Sequence, residues 1–180
     1  MLSLLKNNTI AAVSTPPGEG ALAVLGISGP DAVIIVDTLF TGKTGLEEAE
    51  SRQALVGKIV HEGQVVDQVV VTLFRGPRSY TGEDVVEISC HGSTYVAQRI
   101  LDVLLAQGAD PAEPGEFTRR AFINGRIDLS RAEAIADLIQ AKTEASRRVS
   151  LSQVRGTLYK RIQSMRRELI EACSYLELEL

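Results

Sequence analysis

Ser79-Tyr80-Thr81-Gly82-Glu83-Asp84-Val85-Val86-Glu87-Ile88-Ser89-Cys90-His91-Gly92 reads as a turn, then a strand, then a second turn that feeds a helix. From Asp84 the residues alternate, so Val85, Glu87 and Ser89 share one face while Val86, Ile88 and Cys90 share the other. Ser93 is placed to cap a helix that runs through Gln107 and stops at Gly108. A strand that passes straight into a helix marks this part of the chain as mixed α and β.

The same grammar extends upstream. Thr9 to Val13 and Ala21 to Ser28 are short apolar strands, separated by Thr15-Pro-Pro-Gly-Glu-Gly20, a stretch that cannot be helical. Ser28-Gly-Pro-Asp31 reads as a helix start, with Pro30 tolerated in the first turn and Asp31 at the positive end of the dipole. That helix is expected to reach Phe40. Ala54 to His61 and Val65 to Phe74 form a hairpin around Glu62-Gly63.

Downstream of Pro114-Gly115 the composition changes. A short helix is expected from Glu116 to Asn124, ending at Gly125. Between Ser130 and Leu180 there is no proline, and Gly156 is the one glycine. Ser130 and Glu133 have capping-box spacing, which starts a helix there, and Thr143 can cap a further one. Val149, Val154, Leu158, Ile162, Met165, Leu169, Cys173, Leu176 and Leu180 recur mostly at three- and four-residue steps. Such a stripe wants a partner, and the chain is expected to continue or to meet another chain. The expected fold class is therefore α+β. A mixed-sheet amino-terminal domain occupies residues 1–121, and an all-helical segment follows over residues 122–180.

Bulk properties narrow the classes. With 44% hydrophobic and 23% charged residues the 180-residue chain is ordinary globular material. Cys90 and Cys173 are far apart and only two histidines occur, so neither a structural metal site nor a disulfide framework is expected, and a reducing cytosol fits. The apolar part of Met1–Lys6 is too short for a signal peptide, and no apolar run is long enough to span a bilayer. Residues 1–110 sum to −6 and residues 111–180 to +2. The basic excess in the helical part is mild; a solvated face is its ordinary meaning, and nucleic-acid contact by that face is the lesser alternative.

Four segments carry candidate chemistry, each with a plain structural alternative. Thr41-Gly-Lys-Thr44 resembles the end of a P-loop, but the position that needs a glycine is Asp37, so it is read as a helix stop and turn. Thr15-Pro-Pro-Gly-Glu-Gly-Ala21 is either a stiff turn or a rim whose backbone N–H groups approach a flat or anionic ligand. Glu87 is a carboxylate in mid-strand, and spacing leaves a solvent-facing residue and a ligand acceptor equally open. His91 reads as a structural turn residue, with no partner base evident. Arg126, after Gly125, is either a surface cation paired with Asp128 or a guanidinium that grips a ligand carboxylate.

An ordered set of motifs then becomes specific. Thr15-Pro-Pro-Gly18 with Ile27-Ser-Gly29, Tyr80-Thr-Gly-Glu-Asp-Val85 with His91-Gly92, Pro114-Gly-Glu-Phe117 with Arg120-Ala-Phe122, Asn124 and Asp128-Leu129, and Ala132-Glu-Ala134 with Ala136-Asp-Leu-Ile139 resemble the tRNA-modification GTPase family called MnmE or TrmE. The resemblance runs from about Thr9 to Leu180. It implies a cytoplasmic homodimer built from a tetrahydrofolate-binding domain, a helical domain and a GTPase domain inserted in the latter. With a flavoprotein subunit of the MnmG (GidA) type, such proteins modify the wobble uridine of tRNA, using 5-formyltetrahydrofolate or a related one-carbon tetrahydrofolate. GTP, Mg and K would belong to the GTPase domain, which this span does not include, and no membrane association is implied.

By the same resemblance, Glu87 matches the pterin-binding carboxylate and Arg126 a basic position of the folate site at the dimer interface. No catalytic residue and no metal ligand is assigned. Relatives usually carry Arg just before Ile-Ser-Gly, where this chain has Gly26. Two alternatives remain beside this expectation. One is a freestanding folate-dependent one-carbon transferase, and the other is a structural dimerisation module whose folate site has decayed.

Overall fold

The computed structural model describes residues 8–178, with the side chains of 157–160 and 176–178 excepted. The expectations for Met1–Lys6 and Leu180, and for the side chains of Leu158 and Leu176, lie outside the described residues. The chain divides between Arg126 and Ile127 into two compact units.

Among the described residues the first unit holds seven strands and three helices. In chain order these are β1 (Ile10–Val13), β2 (Leu22–Ser28), α1 (Ala32–Leu39), β3 (Phe40–Gly42), β4 (Ala54–His61), β5 (Gln64–Phe74), β6 (Val85–His91), α2 (Thr94–Ala106), β7 (Asp110–Pro111) and α3 (Glu116–Ile123). The strands form one sheet in the order β3-β4-β5-β6-β2-β1-β7. Every pairing is antiparallel except β1 with β7. The fold is α+β, as the alternation and helix signals predict.

Alternation decides which face is covered. Leu25 and Ile27 on β2, Val86, Ile88 and Cys90 on β6, and Val71 and Leu73 on β5 are buried together with Ile35 and Val36 of α1 and Ile100 and Leu104 of α2. Both helices therefore lie on one side of the sheet. The opposite side carries two cross-strand rows. One runs Gly26–Glu87–Thr72–Ala54, and the next runs Val24–Ser89–Val70–Val56. Leu22 is 67% exposed, Val56 77% and Val70 39%, so this second face is an open apolar surface with a carboxylate among its residues.

The second unit contains α4 (Leu129–Gln140), α5 (Glu144–Val154) and α6 (Thr157–Leu178). Thr143 caps α5 as expected, its hydroxyl accepting from Ser146 N–H at 3.1 Å. The start of α4 differs from the expected capping box. Asp128, not Ser130, is the N-cap; its Oδ1 accepts Arg131 N–H at 2.9 Å and the Ser130 hydroxyl at 2.6 Å. A carboxylate is the stronger acceptor and also complements the helix dipole, so it takes the capping position and leaves Ser130 as its donor. The apolar stripe is interrupted as well. Gly156 has φ +70°, which ends α5 and offsets α6, because a left-handed residue breaks the i→i−4 ladder.

Two other local expectations change. Ser93 occupies the N-cap position of α2, yet its hydroxyl makes no capping bond. Thr41-Gly-Lys-Thr44 does not form a simple turn, since Phe40–Gly42 adds an edge strand along Gly57–Ile59 of β4. The Phe40 ring fills the space where side chains at Gly42 and Gly57 would sit, which is why both positions are glycine.

Candidate ligand-binding face

Glu87 stands in the middle of β6, between Gly26 of β2 and Thr72 of β5, and its side chain is exposed on the open face. Among the described residues it makes no hydrogen bond or ion pair. A free carboxylate flanked by a position without a side chain and by a small hydroxyl fits a flat ligand edge that offers two parallel N–H donors.

Gly26 is packed rather than empty. A Cβ there would meet Ser14 Oγ at 3.2 Å and the Phe117 ring at 3.4 Å. Phe117 of α3 thus roofs the β2 side of the Glu87 row. Position 26 therefore places no cation beside the Glu87 carboxylate.

Arg126 is exposed and fixed to the turn that leads into β6. Its Nε donates to Ser79 O at 3.2 Å, and its stem lies against Gly82. Beside it, Asn124 Nδ2 donates to Thr81 O at 2.7 Å. Asp128, in the second unit, is held by Ser130 and Arg131. Glu87 and Arg126 make no contact with each other. Both are held by one strand and the turn before it, and that is the extent to which the fold brings them together.

The anchor of that turn has no counterpart in the sequence reading. Arg120, 1% exposed, donates to Glu116 Oε1 at 3.0 Å and to both oxygens of Glu83 at 3.3 Å. It also donates to the backbone oxygen and the Oδ1 of Asn8, each at 2.8 Å. The Ser28 hydroxyl bridges Glu83 and Thr81 at 2.7 Å. A buried guanidinium needs its donors satisfied, and here the carboxylates of Glu116 and Glu83 and two oxygens of Asn8 do so. Burial works to raise the Glu116 pKa. The Glu113 N–H and the Arg120 and Arg119 guanidinium groups outweigh it and hold the carboxyl below its ordinary value. The sequence offers a hint in the i, i+4 spacing of Glu116 and Arg120.

His91 also has a partner that the sequence reading does not find. Asp67 of β5 accepts from His91 N–H at 2.8 Å with one oxygen and contacts His91 Nδ1 at 2.7 Å with the other. The ring is thereby oriented by Asp67 and stays exposed, on the same face of β6 as Glu87 and Ser89. Burial, and then the Asp67 charge, push the neighbouring Cys90 thiol up, so this cysteine is a core residue and not a nucleophile.

The Thr15–Gly20 loop lies beside an open cavity of about 580 Å³, which it lines together with Leu22, Ala97 and the start of α2 at Ser93 and Thr94. Neither Glu87 nor Arg126 lines it. Among the described residues no helix is long and apolar enough to cross a membrane, and no cluster of candidate metal ligands occurs.

Comparison with known proteins gives a consistent result along the chain. The family described as "GTP-binding protein TrmE N-terminus" matches residues 9–126, and the "MnmE helical domain" matches residues 129–180. A protein of Listeria innocua named "tRNA modification GTPase MnmE" is 50% identical over 173 residues, covering 96% of this chain and 38% of the relative. Relatives of the same name from Oceanobacillus iheyensis (48% over 179 residues) and Thermotoga petrophila (49% over 173 residues) are covered to 39% and 38% of their lengths. The chain spans about two fifths of the length of the curated relatives it matches.

Proposed function

The chain belongs to the MnmE (TrmE) family of tRNA-modification GTPases, and from that premise we propose that it is the part that binds a one-carbon tetrahydrofolate and forms the homodimer. The whole protein would work in the cytoplasm with a flavoprotein subunit on the wobble uridine of tRNA, with its GTP site outside this span. The observation that carries the folate reading is the unpaired Glu87 carboxylate in mid-strand on an open sheet face. Its two oxygens accept the paired N–H groups of a pterin edge. Arg126, anchored at Ser79, supplies positive charge toward an anionic part of the ligand. The one-carbon unit is chemistry that the folate brings, and the residues named here bind and orient it.

Dimerisation rests on the same face. Leu22, Val56 and Val70 are exposed around Glu87, and a second copy would remove them from water and enclose the ligand. Calorimetry with 5-formyltetrahydrofolate tests the reading. Glu87→Ala should weaken binding by about 2–4 kcal/mol, or roughly 30-fold to 1000-fold. Arg126→Ala should be milder, because an exposed ion pair contributes less. Equal affinity of Glu87→Ala and parent would refute the placement.

The transferase alternative has one observation in its favour, the Asp67-oriented His91 on the same strand face as Glu87. One-carbon transfer by this chain alone, lost in His91→Gln, would select it.

A further inference from the structure

The charge of the helical unit is sorted rather than mixed. Residues 142–167 contain eight Lys or Arg and a single carboxylate, Glu144, a net of +7. On either side the sign reverses, with −2 over residues 127–141 and −4 over residues 168–180. The whole-segment excess conceals this block because the flanks nearly cancel it.

A merely solvated helix interleaves Glu and Lys or Arg at i, i+4, since like charges at that spacing cost helix stability. Here the basic residues come as adjacent doublets, Arg147-Arg148, Lys160-Arg161 and Arg166-Arg167. One ion pair relieves them among the described residues, Arg147 Nη2 with Glu144 Oε1 at 2.7 Å. Arg148, Arg155, Arg161, Arg166 and Arg167 are exposed and have no carboxylate partner among the described residues. Their placement leaves other surfaces free. Arg148 on α5 and Arg155, which caps its C-terminus, are seven residues apart and fall on one side of that helix, while Arg167 falls opposite Leu169 on α6. Ile162, Met165 and Leu169 are exposed along α6 as well, with Arg166 bordering them and Arg167 turned away.

Self-repulsion of this size is retained where a polyanion neutralises it, and a row of exposed guanidinium groups without base-reading geometry suits phosphates. We propose that the basic stretch from Lys142 to Arg167, across α5 and the first half of α6, is a tRNA-backbone contact surface of this protein. The choice of RNA over another polyanion rests on the tRNA-modification reading above.

The test is fluorescence anisotropy of unmodified tRNA with the chain over a salt series. The variant is Arg148→Gln/Arg155→Gln/Arg161→Gln/Arg167→Gln, with the four Arg→Lys changes as its charge-preserving control and circular dichroism to confirm helix content. Each phosphate contact contributes about 0.7–0.9 to the slope of log K against log salt, so the Gln variant should lose about 3 from it. The Lys variant should keep the parent slope. Failure of the parent to bind tRNA at low salt, or an unchanged slope in the Gln variant, overturns the proposal. Heparin or anionic phosphatidylserine vesicles bound in place of tRNA would overturn the RNA assignment. Folate calorimetry on the same Gln variant should match the parent, which separates this result from the fate of the folate site.

Discussion

Gly26 and Glu87 are cross-strand partners, 61 positions apart in the chain and directly opposite each other in the β2–β6 ladder. The position where the family resemblance leads to the expectation of a cation is therefore the neighbour of this carboxylate. With Gly26, no side chain at that position competes for the Glu87 carboxylate. The Phe117 ring holds the space above the glycine.

Gly26→Arg should strengthen binding of 5-formyltetrahydrofolate by supplying the missing cation, and it should lower stability by about 1–3 kcal/mol because its Cβ crowds Ser14 and Phe117. Calorimetry and thermal melts read the two effects separately. Weaker binding in the variant would mean that the introduced guanidinium pairs with Glu87 instead of with the ligand.

Val70→Lys should convert the proposed homodimer to monomer without unfolding it. Val70 is 39% exposed in the single chain, so the charge is tolerated there, but it would be desolvated at a two-fold interface. Light scattering at high concentration is the measurement, and a persistent dimer would place the interface elsewhere.

Arg120→Met should destabilise the first unit by about 3–5 kcal/mol, because Glu116 and Glu83 would keep their charges and lose their shared partner. Urea titration gives the value. Folate binding should fall as well, because Glu83 lies in the turn that precedes β6.

Acid should act through Glu116. Its folded pKa lies below the ordinary 4.5, so the unfolded chain binds more protons in that interval. The stabilisation is complete above 4.5 and is lost as pH falls through the lower folded value. Between about pH 6 and about pH 3, the parent should lose more stability than Glu116→Gln. Parallel declines in urea midpoint would contradict this.

Much of the scaffold is legible in the sequence because it is local. The alternation of Val85–Cys90 fixes which side of β6 is core, Glu62-Gly63 closes the β4–β5 hairpin, and Gly108 stops α2 with φ +104°. The candidate site is legible only as residue types. Glu87 stands out as a mid-strand carboxylate, but that Gly26 faces it depends on β2 and β6 being neighbours, which no local pattern encodes. The same holds for Asp67 and His91, joined only by the β5–β6 register, and for the burial of Arg120. β3 and β7 escape a sequence reading because two or three residues, one of them Pro111, carry no period. Asp128 escapes it because a carboxylate just ahead of a serine competes for the same cap.

The bonds from Arg120 to Asn8, with Asp110 N–H donating to Thr9 O at 2.8 Å, join the start of the first unit to its last helix. The described start of the unit, at Asn8 and Thr9, is thereby tied to its last helix, as a buckle joins two lengths of a belt. A circular permutant that links these ends and opens the chain between Glu62 and Gly63 would keep every strand pairing, since no ladder hydrogen bond crosses that tip. With its own ends kept, the unit should instead be tolerated as an insert in another protein, with both connections at the buckle.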